Sequence, residues 1–299
     1  MKNLKISIII AIICVTAAIT AMYFLGDKSA SSNKNVFGNL PKDFGKISIS
    51  SAQSDFDIML NDGYWKIPQE NNYYANSIVL RYLFESFAKA KLTQKVDINP
   101  EEKDLINIKV YSKDNTLLSD VDIFGEQQNK YARVDGKIYL VSNLFNLPSD
   151  SVSWMEQPVV EIAEEFIQAI ESNDFKSYRN DYFAPFEGDV SFISNQDLFK
   201  AVNFLFFTKV VKKDDFNYAD VTKNHIRIIN FDGLITDLAV YTNGTDYWLE
   251  KKISPAVVTK KGINEHIKSR EFLYNDWVFQ IPPIRGKQLI EYTNYEKRK

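Results

Sequence analysis

The chain has 299 residues, 45% apolar and 25% charged, with a net charge of −3 and one cysteine. That balance belongs to a folded chain, and it supplies no concentrated positive surface for nucleic acid. With Cys14 as its only cysteine, the chain has no internal disulfide, no cysteine-ligated zinc site and no iron–sulfur cluster, and beyond the N-terminal run it has no thiol nucleophile.

Lys2 and Lys5 precede an uncharged run from Ile6 to Gly26, which Asp27 and Lys28 close. About 20 apolar residues of helix cross the roughly 30 Å hydrocarbon layer, and inside that layer the backbone must satisfy its own hydrogen bonds. Residues 6–26 therefore read as a transmembrane signal-anchor whose partner is the lipid bilayer. The flanking lysines put residues 1–5 in the cytoplasm. The rest of the chain is then periplasmic or otherwise extracytoplasmic, on a single pass through a bacterial cytoplasmic (inner) membrane. Met22–Leu25 carries the apolar run past Ala21, which favours retention over cleavage. Residues 27–43, rich in Ser, Asn and Lys, read as a flexible linker.

Residues 44–155 form a first unit. "KISIS" alternates like a half-buried strand. "FDIML" and "YWKI" flank Asp62-Gly63, a tight-hairpin signal. Val79, Leu80, Leu83, Phe84 and Phe87 then recur at helical spacing, with Asn76 placed to cap the start. "INIKVYS", "LLSDVDIFG", "KYARV" and "KIYLVS" read as an antiparallel meander. Residues 156–179 read as a bridging helix, with Ile162, Phe166, Ile167 and Ile170 on one side and Glu161, Glu164 and Glu165 on the other.

Residues 180–299 repeat the order. "VSFIS" reads as a strand and "SNQDLFKAVNFLFFTKVV" as a helix. "HIRIINFDG", "LITDLAVYTNG" and "DYWLEK" follow as strands. Asn107–Val110 aligns with His225–Ile228, and Ser119-Asp120-Val121 with Thr236-Asp237-Leu238. A further one-residue slip sets Tyr131 against Tyr247, and the helices align Phe87 with Phe206. The expectation is an α+β chain of two tandem units, each a helix packed on an antiparallel meander.

"NDGYWKI", Ala75-Asn76 opening a helix, Gly125, "KYARVDGKIYLV" and Trp154 together resemble the bacterial domain of unknown function 4340 family. The likeness is best over residues 44–154. It implies one N-terminal membrane span, an extracytoplasmic α+β region and association with gliding-type ABC transport systems. The family supplies no catalytic residues to carry over.

Chemistry is sparse. Ser86 and Lys89 have the S-x-x-K spacing of penicillin-binding enzymes, but no S-D-N or K-T-G follows. Asp120 and Asp122 share a strand face, and His225 and His266 are the only histidines. No motif predicts a cofactor or a metal site. The aromatics Tyr64, Trp65, Tyr73, Tyr74, Tyr247, Trp248 and Trp277 are the candidate partner-binding set. The leading expectation is a non-catalytic binding or scaffold protein with protein partners in an envelope complex. The alternatives are an exported glycan- or lipid-binding module and an envelope-polymer hydrolase.

Overall fold

The computed structural model describes residues 34–41, 43–125, 129–172, 176–189 and 192–293. The expected membrane span at residues 6–26 lies outside them. Among the described residues, no helix is long and apolar enough to cross a membrane.

The chain forms two antiparallel sheets with few helices. In the first, β1 (Phe44–Ser51), β2 (Asp55–Asn61), β3 (Tyr64–Ile67) and β4 (Tyr73–Tyr74) lead into α1 (Ser77–Lys89). After it come β5 (Lys91–Val96), β6 (Ile106–Ser112), β7 (Leu117–Gly125), β8 (Lys130–Val134) and β9 (Lys137–Ser142). Their spatial order is β4-β3-β2-β1-β6-β7-β8-β9-β5. The β2–β3 turn has Asp62 and Gly63 both at positive φ, as a twist-matched two-residue hairpin requires. The Asn76 side chain accepts from the Ile78 and Val79 amides, at 2.9 and 3.0 Å. Replacing Asn76 by Ala is expected to cost about 1 kcal/mol in chemical denaturation, because both amides lose their acceptor.

The second sheet is built from β10 (Ile167–Ser172), β11 (Lys176–Tyr178), β12 (Glu187–Gly188), α2 (Phe192–Val202), β13 (Lys209–Lys212), β14 (Thr222–Asn230), β15 (Leu234–Thr242) and β16 (Tyr247–Pro255). It is completed by α3 (Ile263–Arg270), β17 (Trp277–Ile281) and α4 (Pro283–Thr293). Its order is β12-β11-β10-β14-β15-β16-β17-β13. Leaving β4 aside, the two orders correspond element by element. In each, the strand after the central helix pairs at the far edge with the last strand of the meander. The registers correspond too. Lys109 pairs with Asp120 as Arg227 pairs with Asp237, and Ile108 with Val121 as Ile226 with Leu238. Further along, Gly125–Lys130 matches Thr242–Tyr247. Tyr131 thus corresponds to Trp248, and the extra slip that set it against Tyr247 is not needed.

Three expectations are corrected. The bridging helix at 156–179 does not form. A short 3-10 turn at Glu164–Phe166 precedes strand β10, which pairs with β14. A register shift between Ile167 and Ala169 leaves both Ala169 and Ile170 buried. That irregularity breaks the period-two pattern, and pairing with β14 overrides helical spacing.

The second correction concerns the helix expected from Ser194 to Val211, which ends at Val202, with Phe204 in the left-handed region and Val210 on β13. Residues Phe192–Ser194 of "VSFIS" belong to α2 and not to a strand, while Val190 and Ser191 lie outside the described residues. The helices also align differently from the sequence reading. Val36 pairs with Ala90 as Val160 pairs with Leu205, which sets Phe87 against Val202. Phe206 is exposed.

The third correction falls on the linker. Val36 and Phe37 are buried, and the Asn35 amide group donates to the Phe87 carbonyl at 2.8 Å. Val159, Val160 and Ile162 hold the same station against α2. Each sheet is therefore preceded by an apolar lead-in that closes the C-terminal end of its helix.

Candidate functional site

The predicted aromatics do not converge on one surface. They divide among four places.

Tyr73 and Trp277 are buried where the β4 edge of the first sheet meets the β13–β17 edge of the second. The Tyr73 ring lies edge-on to Trp277, Phe207 and Phe279, with centroids 5.2, 5.6 and 5.7 Å away. Its hydroxyl donates to the Leu273 carbonyl at 3.3 Å, and burial holds its pKa well above the usual tyrosine range. Asn71 Nδ2 donates to the Val210 carbonyl at 2.7 Å. Arg270 Nη2 stands 3.6 Å from Glu156 Oε1. This is a desolvated seam fixed by directional bonds, and its aromatics are structural. Tyr64 and Tyr74 continue it to the rim, both packing on Phe272. Of the predicted set, Tyr64 is the exposed member, at 46%.

Trp65 packs on Phe44 and Phe84, holding α1 to the first sheet. Trp248 packs on Phe216 beneath the segment after β13. Tyr247 meets α4, where its ring and Cβ fill the space a side chain on Gly286 would need.

The seam also contains a residue that motif reading missed. Lys251, on β16, is buried. Its Nζ donates to the Val159 carbonyl at 2.8 Å and sits 3.9 Å from the Tyr274 ring centroid. Burial first, and then the Arg270 cation, push its pKa down to about 7, while Glu161 opposes them. The signal was present in the sequence, since Lys251 falls at an inward position between Leu249 and Ile253.

The first sheet keeps an open trough where β6 begins and β7 ends. Its volume is about 700 Å³, and Ile106, Ile123, Gly125, Lys130, Phe145 and Leu147 lie along it. A neighbouring recess of about 430 Å³ shares Ile106, Phe124 and Gly125 with it. Phe145 stacks on Tyr82 of α1 with ring centroids 4.1 Å apart, so one wall is rigid. Lys130 Nζ donates to the Leu144 carbonyl, and burial lowers its pKa. Asp104, Asn129 and Asn146 line the trough as well, so its lining is mixed apolar and polar and carries charges of both signs.

The polar candidates are engaged elsewhere. Ser86 Oγ donates to the Tyr82 carbonyl and accepts from the Phe145 amide, while Lys89 pairs with Glu85. The helix thus separates the two members of the S-x-x-K pair. Asn107 Nδ2 donates to both Asp120 and Asp122, each at 2.8 Å, and Lys109 and Arg133 flank the two carboxylates. His225 Nε2 is 3.2 Å from Asp237, which Arg227 also holds. His266 lies exposed on α3. Among the described residues, no three His, Cys, Asp or Glu side chains gather as a metal site.

No family model matches this chain, and no curated protein or solved structure matches it significantly. Function is therefore read from the site itself.

Proposed function

We propose that the protein is a membrane-anchored extracytoplasmic binding or scaffold subunit. In this reading it is built of two tandem units that descend from one duplicated helix-and-meander ancestor. The matched strand order and the paired positions of Lys109–Asp120 and Arg227–Asp237 support the duplication.

The observation that carries the binding role is the contrast between the seam and the trough. The two sheets are locked edge to edge by buried aromatics, while the corner of the first sheet holds an open trough of mixed apolar and polar lining beside the Tyr82–Phe145 stack. A rigid pair of platforms with a preformed concavity favours capture of a partner. Residues 6–26 provide the anchor. Because Lys34 already bonds to β5, the chain from Gly26 to the fold reaches at most roughly 30 Å, which holds the first sheet close to the bilayer. The likeness to the 4340 family extends the reading to an accessory place beside an ABC-type transport system.

The test is mild-detergent solubilisation of a tagged full-length chain from its native membrane. Co-elution with other membrane proteins is the expected result. A monomer that elutes alone, or recovery in the soluble fraction, overturns the reading.

A further inference from the structure

The helix α4 runs antiparallel to α2. At one end the Tyr292 hydroxyl donates to Asn195 Oδ1 at 3.0 Å, and at the other Arg285 Nη1 donates to the Lys200 carbonyl. This second end brings the start of α4 and the connector from α2 to β13 to one corner of the second sheet. There the Asn203 amide bonds to the Phe199 carbonyl, and Phe204, next along, takes a φ of 52°. Helices that end on this left-handed conformation mostly place glycine there, because a side chain is crowded by its own backbone. Phe204 meets that cost with a ring left 50% exposed, so half of the ring gains nothing from the fold. The connector around it is fixed. Leu205 is buried and its amide donates to the Val160 carbonyl at 2.8 Å, and the Thr208 amide donates to the Gln280 carbonyl at 2.9 Å. On either side of the buried Leu205, Phe204 and Phe206 face outward, Phe206 at 52% exposed, and Ile284 in the first turn of α4 is 70% exposed.

We propose that this corner is a second contact with the membrane, where Phe204, Phe206 and Ile284 enter the headgroup layer of a bilayer that contains anionic lipid. The inference rests on the membrane-anchored reading above and deepens it by assigning a lipid-facing surface to the folded part. Three observations favour lipid as the occupant. The side chains are separate knobs at half exposure or more, and a fluid headgroup layer accepts protruding apolar groups without a matching shape. The rim is mildly basic. Asp197 pairs with Lys200 and Glu291 with Lys287, which leaves Lys209 and Arg285 outside any ion pair among the described residues, against the exposed Glu161 of the lead-in. Basic side chains beside apolar ones suit an anionic headgroup region. Finally, an anchor at residues 6–26 makes the docking intramolecular, so three side chains and a small charge excess suffice.

The test uses the full-length chain with Cys14→Ser, reconstituted in vesicles of phosphatidylcholine and phosphatidylglycerol that carry a headgroup-region spin label. A fluorophore on Asn203→Cys reports the corner. One on Val257→Cys reports the opposite end of the same sheet, because β16 runs nine residues from Tyr247, which touches α4, to Pro255, and so places Val257 roughly 30 Å away. Quenching of the first label and not of the second is expected, and it is expected to weaken in vesicles of phosphatidylcholine alone. Phe206→Ser combined with Ile284→Ser is expected to abolish it. Phe204→Gly is expected to weaken it while the thermal midpoint stays within about 4 °C of wild type, since relief of the left-handed backbone offsets the lost ring contacts. A purely structural ring would lower the midpoint and leave the quenching alone. Equal quenching at both positions, or quenching indifferent to these variants, overturns the proposal. A label at 203 that is free in vesicles and shielded in native membranes assigns the corner to a protein and overturns it too. Flotation of the same vesicles reports the anchor separately. A chain that floats with the 203 label unquenched keeps the anchor and loses the corner, whereas a chain that does not float loses both.

Discussion

Tyr73→Ala is expected to lower the unfolding free energy by about 3–5 kcal/mol, the range for removing a large buried aromatic side chain. Tyr73 is 1% exposed, and its ring is enclosed by Trp277, Phe207 and Phe279 of the second sheet. Substitution leaves a cavity lined by rings that cannot collapse inward, because pairing with β13 holds Trp277 and Phe279 on β17, and the Thr208 amide's bond to the Gln280 carbonyl holds the segment that carries Phe207. The effect is specific to the contact between the sheets, since most of the lost neighbours belong to the other sheet. Guanidinium titration followed by far-ultraviolet circular dichroism is therefore expected to resolve two transitions in the variant. Tyr73→Phe removes only the bond to the Leu273 carbonyl and is expected to cost about 1 kcal/mol with cooperativity intact. A single transition within 1 kcal/mol of wild type for Tyr73→Ala would show that the seam does not depend on this ring.

Stability is expected to rise by about 2 kcal/mol between pH 7 and pH 9, and Lys251 is the reason. The folded amine titrates at about 7, held down by burial and by Arg270. In the unfolded chain it returns to about 10.4. Across that window the unfolded chain binds a proton that the folded chain does not, so raising the pH favours folding. The charged groups around Lys251 come from every side of the seam. Arg270 lies on α3, Glu161 on the lead-in of the second sheet, and Glu156 pairs with Arg270. The Tyr274 ring partly supports the charged form, which tempers the rise. Above about pH 10 ionisation of unfolded tyrosines reverses the trend, because burial raises the pKa of Tyr73 in the folded chain. Lys251→Met keeps the inward alternation and is expected to flatten the pH 7–9 slope, as measured by urea denaturation at each pH. Retention of the slope in that variant would assign it to another group.

Much of the fold was legible in the chain, and the misses have local causes. The strands of both meanders, the Asp62-Gly63 hairpin and the Asn76 cap follow from alternation, turn chemistry and capping. Strand β10 was not legible because the irregularity at Ile167/Ala169 disguises its alternation as helical spacing. The helix α4 went unread, although Pro283 at its first position is well suited to the first turn of a helix. The candidate site was less legible than the fold. The aromatics were singled out as a partner-binding set, but Tyr73 and Trp277 lie in the core, and Trp65 and Trp248 are internal buttresses. The trough was invisible in sequence because its walls come from β6, β7, β8 and the coil after β9, segments that mean nothing together until the sheet is assembled.

The sequence by itself determined the local elements and their repetition, through the period of apolar side chains, the residues that tolerate positive φ, and the matching positions of Lys109–Asp120 and Arg227–Asp237. Only the tertiary structure decided which apolar face is covered and by what. The β4 and β13 edges close on each other, Lys251 is drawn inside, and, among the described residues, a helix packs on one of two equivalent corners and not on the other. The physical reason is that periodicity marks a face for burial, whereas the identity of its cover depends on contacts between residues far apart in the chain.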